Sequence, residues 1–433
     1  MRTLSFTLFT LLFALTLTSC IEETCEDTII FQGFEPQIVT TENWRGASFG
    51  CFGPIDVCEA TGFYVYQQYL FMVEDGKGLH IIDNSDPHNP LPVTWMEVPG
   101  GQGLAVRNNI LYMNQYTDLV AFDLADPKTP TFISRTENVF EPYTVFASVL
   151  DNGQFVSNWI ATDEERVVDC NSPNNGPQVF LDNTTWFAAD FSAINNAFAG
   201  TAAPTTGGET VGRGGSLARF TITQSTLYAV DDSQLKAFSL ADERNPEYVQ
   251  NIEIGFGIET IFPTADKLFI GSTTGMQIFS VADPLNPEHL STFEHVLSCD
   301  PVVVSGDIAY VTLWGGRDCG SVGDQLEVID VSDARNPVSL QITPMQSSHG
   351  LGVAEGKLFL CSQWDGFRTF DLTDEGLLGA ELDHSEEVFA RDVIVIPEQN
   401  NAIVLAYGQG GIQQFDYTDD GKLTATSHIA VCD

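Results

Sequence analysis

The sequence predicts an all-β fold, a β-propeller of eight blades, or of seven if its third repeat unit is an embellishment, with a long insertion in blade 3. Three observations predict it. A five-residue apolar string ending in Asp or Ser recurs along the chain, and most copies are closed by a turn rich in Asp, Asn and Pro. The unit containing the string returns at a nearly constant step of 41 residues with about four short strands in each, which is the arithmetic of a propeller blade. Aliphatic and aromatic residues make up 43% of the 433-residue chain, ample for a core, and disorder through low hydrophobicity is excluded.

The strings are Leu79–Asp83, Leu119–Asp123, Leu235–Ser239, Met276–Ser280, Leu326–Asp330, Phe367–Asp371 and Ile412–Asp416. The turns after the first five are Asp86-Pro87-His88-Asn89-Pro90, Asp126-Pro127-Lys128-Thr129-Pro130, Asp242-Glu243-Arg244-Asn245-Pro246, Asp283-Pro284-Leu285-Asn286-Pro287 and Asp333-Ala334-Arg335-Asn336-Pro337. Proline fixes φ and cannot donate to a ladder, and Asp and Asn bond locally to the backbone, so each apolar run is a strand that must stop there. Upstream lie two more short strands per unit, as in Leu104-Ala105-Val106 with Ile110-Leu111-Tyr112, and Leu351-Gly352-Val353 with Leu358-Phe359-Leu360. The residues just before the first strand are Thr61, Gln102, Tyr143, Ala218, Glu259, Asp300, His349 and Asp392, in steps of 41, 41, 75, 41, 41, 49 and 43. The long step is read as one blade carrying an insertion at about 161–216. The propeller is expected over 61–433 as a single domain.

Leu79-His80-Ile81-Ile82-Asp83 and Leu326-Glu327-Val328-Ile329-Asp330 resemble the LVIVD repeat, named for that pentapeptide. Gly76 to Asn84 and Ser298-Cys299-Asp300-Pro301 look like long Bacteroidetes members of that family in particular. The resemblance runs from about residue 61 to 430 and implies a propeller in an exported lipoprotein, without an assigned activity. The third unit has no clear copy, and the final two lack the Asn-Pro turn.

Residues 1–19 read as a secretion signal: Arg2 is their only charge, and the apolar run Leu4 to Leu17 is too short to span a bilayer. Leu17-Thr18-Ser19-Cys20 resembles the bacterial lipobox, which implies lipidation (palmitate among the acyl groups) at Cys20 and an anchor in the outer membrane. The acidic pair Glu22-Glu23 resembles a surface-export signal, so the cell surface is expected, with a periplasm-facing placement as the alternative. Residues 20–60 are read as a tether and leading segment. With Cys20 assigned to lipid, eight cysteines remain, an even number that favours disulfides in an exported protein. A Cys299–Cys319 bridge at one loop face and a local Cys51–Cys58 bridge are expected.

The net charge of −41 excludes nucleic acid as a partner, since a phosphate backbone needs clustered Lys and Arg. In a propeller the loop before each innermost strand opens on the same face as the loop joining strands two and three, so the first-strand markers converge on one channel mouth. Gln102, Glu259, Asp300, His349 and Asp392 therefore form a candidate ligand site, with Arg219 and Arg391 one residue away. Glu259, Asp300, His349 and Asp392 are candidate ligands for a divalent cation, through oxygen for Ca²⁺ or Mg²⁺ or through His349 for a transition metal. Tyr116, Trp314 and Trp364 fall in or beside the mouth loops, where they could stack on a sugar or peptide. The G-x-S-x-G match at Gly46–Gly50 lacks the strand-turn-helix that a nucleophile elbow needs. The expectation is a non-enzymatic binding or scaffold module that grips a protein or glycan through the mouth face. The alternative is a metal-dependent hydrolase or lyase with its site at the mouth.

Overall fold

A computed structural model describes residues 26–27, 33–141, 154–162, 168–169, 180–182, 185–187, 211–231, 233–255, 257–295, 301–314 and 323–432. The chain divides into two units, Met1–Val39 with Val156–Ile194, and Thr40–Phe155 with Asn195–Asp433. Among its described residues the second holds seven antiparallel blades of four strands, with the short strands Arg213–Gly214 and Cys51–Phe52 added at the two edges of blade 1. Blade 1 is Gly62–Tyr66, Tyr69–Glu74, Gly78–Asp83 and Leu91–Glu97, and blade 2 is Leu104–Arg107, Ile110–Gln115, Asp118–Asp123 and Thr131–Thr136. Blade 3 is Phe220–Thr223, Thr226–Val230, Gln234–Ser239 and Glu247–Glu253, and blade 4 is Ile258–Pro263, Lys267–Ser272, Gly275–Ser280 and Glu288–Glu294. Blade 5 is Val302–Ser305, Ile308–Leu313, Gln325–Asp330 and Val338–Pro344. Blade 6 is Ser348–Ala354, Lys357–Ser362, Gly366–Leu372 and Leu378–Ser385, and blade 7 is Ala390–Ile396, Asn401–Ala406, Ile412–Tyr417 and Leu423–Ile429.

The recurring pentapeptide is the third strand of every blade. It is sandwiched between two partner strands and two neighbouring blades, so its apolar residues are buried, as at Leu79, Ile81 and Ile82. The outermost strands are polar and partly exposed, and all seven join the third strand through a β-bulge at the same place, for example between Ile81 and Ile82 or between Phe238 and its predecessor Ala237. Such a bulge twists the free edge away from flat pairing.

The turn that stops the third strand also ties blade to blade. In blade 4, the Asp283 carboxylate accepts from the Leu285 N–H (3.3 Å) and from the Asn286 side-chain amide (2.8 Å), while its carbonyl accepts from the Asn286 N–H (3.0 Å). Its neighbours repeat the pattern at Asp242 and Asp333. Folded this way, the turn presents backbone carbonyls to the preceding blade. Ser427 donates to the Pro87 carbonyl (2.6 Å), Thr94 to Lys128 (3.0 Å), Ser134 to Arg244 (2.6 Å), Gln250 to Leu285 (2.6 Å) and Ser291 to Ala334 (2.7 Å). The last two blades, which lack the Asn-Pro turn, reach the same end by another route. Gly376 and Gly421, both at φ of +77°, complete turns headed by Thr373 and Thr418, and their carbonyls accept from Tyr310 (2.9 Å) and Thr369 (2.6 Å).

Among the described residues the blades number seven, the alternative reading, and not eight. Strands do form in the third repeat unit, at Gln154–Thr162 and Phe180–Asp182, but they enter a separate four-stranded sheet with Gly33–Thr40 and Thr185–Phe187. No pentapeptide lies between them to serve as a buried third strand, and no Asp-Pro turn is there to clip a neighbour. The leading segment also contributes structure: a short helix, Thr41–Gly46, docks on blade 2. Arg45 reaches both oxygens of buried Asp118 (2.7 and 2.6 Å), which Arg135 also contacts (2.9 Å), and Trp44 packs on Tyr116 (5.2 Å). The two guanidinium groups hold the Asp118 carboxyl below the usual range against the opposing effect of burial.

The ring closes between blades 7 and 1 without exchanging a strand. Cys58 and Cys432 form a disulfide, Val57 pairs with Val431, and the amides of Asn84 and Gln414 bond reciprocally (3.1 and 2.7 Å). The expected Cys51–Cys58 bridge is therefore not present, and Cys51 is free and exposed. Cys51 sits in the short strand Cys51–Phe52 on the outer edge of blade 1, whereas Cys58 leads to its inner strand, so the blade's width separates two cysteines close in sequence. The Cys58 N–H is held by buried Glu74 (2.7 Å), whose carboxylate also meets His80 (3.0 Å). Burial raises the Glu74 pKa, but these hydrogen bonds prevail and hold it at about 2.

Because the bridge joins residues 374 positions apart, its loss frees nearly the whole chain in the unfolded state. Cys58→Ser is expected to cost roughly 2–5 kcal/mol and Cys432→Ser the same, with no further loss in the double variant. Calorimetry of the three proteins checks this, and maleimide should label Cys51 under native conditions but buried Cys361 only after unfolding.

Candidate functional site

One face of the ring gathers the loops before each innermost strand and those between the second and third strands. Hydrogen bonds join them: Gly76 N–H to the Gly101 carbonyl (2.9 Å), Gln363 to Ser347 (3.0 Å), and Tyr407 to Phe389 (2.8 Å). Among the described residues, Glu259, His349 and Asp392 lie at or beside the starts of innermost strands that begin with register shifts. Glu259 in blade 4 and Arg391 in blade 7 are extra residues at register shifts, and in blade 6 the two residues His349 and Gly350 lie opposite the single residue Cys361. A bulge rotates the following side chains.

Asp392 is wholly buried. Its Oδ1 accepts from the Ser216 N–H (3.0 Å), the Ser216 hydroxyl (2.8 Å) and its neighbour Val393 N–H (2.9 Å), and its Oδ2 accepts from the Leu217 N–H (3.3 Å). Burial nevertheless pushes its pKa up to about 6. Glycine makes the approach possible, since a Cβ at Gly215 or Gly350 would collide with this carboxylate. Ser216 belongs to the described end of the insertion, 211–219, which crosses the innermost strands of five blades. Gly212 donates to Val106 of blade 2 (2.9 Å), Arg213 and Gly214 pair with Val65 and Tyr64 of blade 1, and the Ser216 hydroxyl accepts from Leu351 of blade 6 (2.9 Å). Asp392 supplies the blade 7 contact, and the Ala218 carbonyl accepts from Ile261 of blade 4 (2.7 Å). The insertion thus returns along the channel wall before starting blade 3.

His349 is buried between the Trp314 ring (4.2 Å) and the Tyr407 hydroxyl, which lies 3.0 Å from its Nδ1. Burial, reinforced by the nearby Arg391 charge, lowers its pKa to about 3, so the imidazole is neutral at physiological pH. Arg391 rests over the Tyr407 ring (5.4 Å), and burial lowers its own pKa. Tyr407 is pushed up to about 12 by burial. Gln102 lies beyond this cluster, on the loop leading into blade 2, and hydrogen-bonds Asp75, whose pKa burial raises. Asp300, Cys299 and Cys319 fall outside the described residues, as do Cys20 and the signal segment. Among the described residues no group of three or more His, Cys, Asp or Glu is placed to hold a metal ion, so Glu259, His349 and Asp392 do not come together as a ligand set.

Sequence reasoning missed Ser216 and Tyr407. Gly214-Gly215-Ser216 was legible as a place where backbone approaches closely, although nothing in spacing points to Asp392 as the group approached. Of the three mouth aromatics, Tyr116 and Trp314 are engaged with Trp44 and His349, while Trp364 is 67% exposed.

The Asp392 carboxyl has a folded pKa of about 6 against an ordinary 3.8, so folding favours its protonated form. Its contribution to stability is greatest below about 4 and declines as pH rises through about 6, by a total on the order of 3 kcal/mol. Relative to Asp392→Asn, the wild type should therefore lose thermal stability between pH 4 and 7. Melting curves of both proteins across that window check it, and a constant difference in midpoint would show that the carboxyl does not titrate there.

The LVIVD repeat family matches residues 59–94, which span the first three strands of blade 1 and the Asp-Pro turn. No curated protein matches the chain. Among solved structures, the periplasmic gluconolactonase of Pseudomonas aeruginosa is similar at 9% identity and a TM-score of 0.54, over 88% of this chain and 97% of that one. A Lactobacillus plantarum protein is similar at 12% identity and a TM-score of 0.54, over 88% and 96%. One of unknown function from Desulfotomaculum acetoxidans reaches 10% identity and 0.51, over 84% and 97%. At these identities the likeness concerns the fold alone. The chain thus carries an LVIVD repeat in the first blade of a seven-bladed β-propeller.

Proposed function

We propose that the protein is an exported lipoprotein, anchored in the outer membrane through Cys20 and facing the cell surface, that acts as a non-enzymatic scaffold gripping a protein or glycan through the mouth face of its propeller. The observation that carries this reading is that the ring's inner wall is lined by its own chain. The 211–219 segment lies along the innermost strands, and every hydrogen bond to the Asp392 carboxylate comes from that segment or from the adjacent Val393. His349 is neutral, buried and packed against two aromatic rings. The loops of this face surround the 211–219 segment and include exposed side chains such as Trp364 and Phe389. A rigid ring presenting loops on one face suits recognition of a large partner better than enclosure of a small substrate.

The experiment is crosslinking on intact cells followed by capture of the protein, together with turnover assays on a hydrolase panel that includes aldonolactones, the class that the Pseudomonas relative's name suggests. A stoichiometric partner without turnover is the expected result. Turnover abolished by His349→Ala would replace this reading with the enzymatic one. Cys20→Ser should abolish palmitate labelling and release the protein from the membrane fraction; an unchanged membrane fraction would remove the anchor.

A further inference from the structure

Trp364 is the most exposed large apolar side chain among the described residues, at 67%, and Phe389 beside it is 54% exposed. Their centroids are 5.9 Å apart with the ring planes at 73°, so the two rings form adjacent walls of an open corner. Both belong to the mouth face: Trp364 is in the loop between the second and third strands of blade 6, and Phe389 leads into the innermost strand of blade 7.

The backbone beneath them is held firmly. His384 donates to the Asp365 carbonyl (2.8 Å), Tyr407 donates to the Phe389 carbonyl (2.8 Å), and Val388 is buried under the turn. Gly366, at φ of +76°, lets the Trp364 loop lie against Ser385 and Glu386, because a Cβ there would meet the Glu386 Cα at 3.0 Å. The turn that carries Phe389 therefore also brings Glu386 and Glu387, both exposed, next to the Trp364 loop. Arg368, the basic side chain on the strand after that loop, is taken by Asp365 (3.0 Å) and Glu381 (3.5 Å). Two solvated rings and two carboxylates are thus left facing outward, on a chain with a net charge of −41.

We propose that the Trp364–Phe389 corner docks a cationic side chain, arginine or lysine, presented by a basic segment of a partner protein. The proposal rests on the reading of the mouth face as the binding face and names the chemistry of its partner. A ring face attracts a cation through its quadrupole, and two faces at a steep angle enclose a compact cation. A sugar, in contrast, stacks on a flat platform, which rings at 73° do not provide. Glu386 and Glu387 supply the charge complementarity that steers a basic segment to the corner and repels an acidic one.

The test is calorimetric titration of the full-length protein with a short, otherwise neutral peptide bearing two arginines, at 0.15 M salt. Trp364→Ala is expected to weaken binding about tenfold. Glu386→Gln with Glu387→Gln should weaken it several-fold and flatten its dependence on salt. Glu247→Gln with Glu253→Gln, on the distant outer strand of blade 3, removes the same charge and should leave binding unchanged. Equal binding by Trp364→Ala and wild type would overturn the proposal, since only diffuse charge would then be at work. So would competition for Trp364 by a neutral oligosaccharide, which would make the corner a glycan site. Repeating the cell-surface capture with Trp364→Ala separates the two readings: a partner that persists there supports the mouth-face scaffold and counts against the corner, whereas the absence of any partner with wild type counts against the scaffold itself.

Discussion

The structure depends on a turn carbonyl that faces the preceding blade. A four-stranded blade has two apolar faces and cannot stand alone, so each must be held against the next at a fixed angle. Apolar packing supplies the attraction but is non-directional. The hydrogen bonds from Ser427, Thr94, Ser134, Gln250, Ser291, Tyr310 and Thr369 to turn carbonyls supply the direction, one at each of the seven junctions. The Asp at the head of the turn is the precondition, because its carboxylate satisfies the turn's own N–H groups and leaves the carbonyls free to look outward. Glycine at +77° does the same work in blades 6 and 7. Two chemically different turns converge because what must be preserved is the exposed carbonyl, not the residues that shape it.

That constraint explains how the ring tolerates its interruption. Blades 2 and 3 are separated in sequence by the whole insertion, yet their junction is as well made as the others. Ser134 reaches the Arg244 carbonyl, Tyr112 reaches the Glu243 carbonyl (2.9 Å), and Arg244 pairs with Asp123 (2.8 Å). Apolar residues of both blades share one core cluster, which includes Leu111 and Val120 of blade 2 and Phe220 and Phe238 of blade 3. A junction specified locally by turn and strand needs no continuity of chain across it. The end of the insertion is accordingly free to run along the channel wall and contact five blades before starting the third.

Much of this was legible in the sequence, for a definable reason. The third strands and their turns are built from contacts within about fifteen residues, and such contacts leave periodic traces. Blade number was harder to read, because the 75-residue step has room for a blade's worth of strands, and only pairing decides that Gln154–Thr162 joins Gly33–Thr40 instead. The disulfide was misread for a related reason. Cys51 and Cys58 are near in sequence, but Gly53 and Pro54 lie in a stretch that carries the chain from the outer to the inner edge of blade 1. The partner, Cys432, is brought there only by closure of the ring. At the mouth, the period marks Asp392 and His349 as residues near the starts of innermost strands but does not say what they touch. Asp392 meets a segment 176 residues earlier in the chain, and no local pattern encodes that distance.

Two buried carboxylates show what the acidity of the chain does inside the fold. Glu74 and Asp392 both lose hydration, which alone would raise both pKa values. Glu74 gains the Cys58 N–H and the His80 ring, and falls to about 2. Asp392 receives only backbone N–H groups and one hydroxyl, and rises to about 6. The signs of their linkage are opposite. Glu74 stabilises the closure at pH above its ordinary 4.5, and that contribution is lost as pH falls toward 2. Asp392 stabilises the segment along the channel wall most in acid, and that contribution is lost as pH rises through 6. At neutral pH the closure beside the disulfide is therefore held at full strength, while the segment in the channel bears the cost of an ionised, buried carboxylate. The two carboxylates thus give the closure and the channel segment opposite responses to pH.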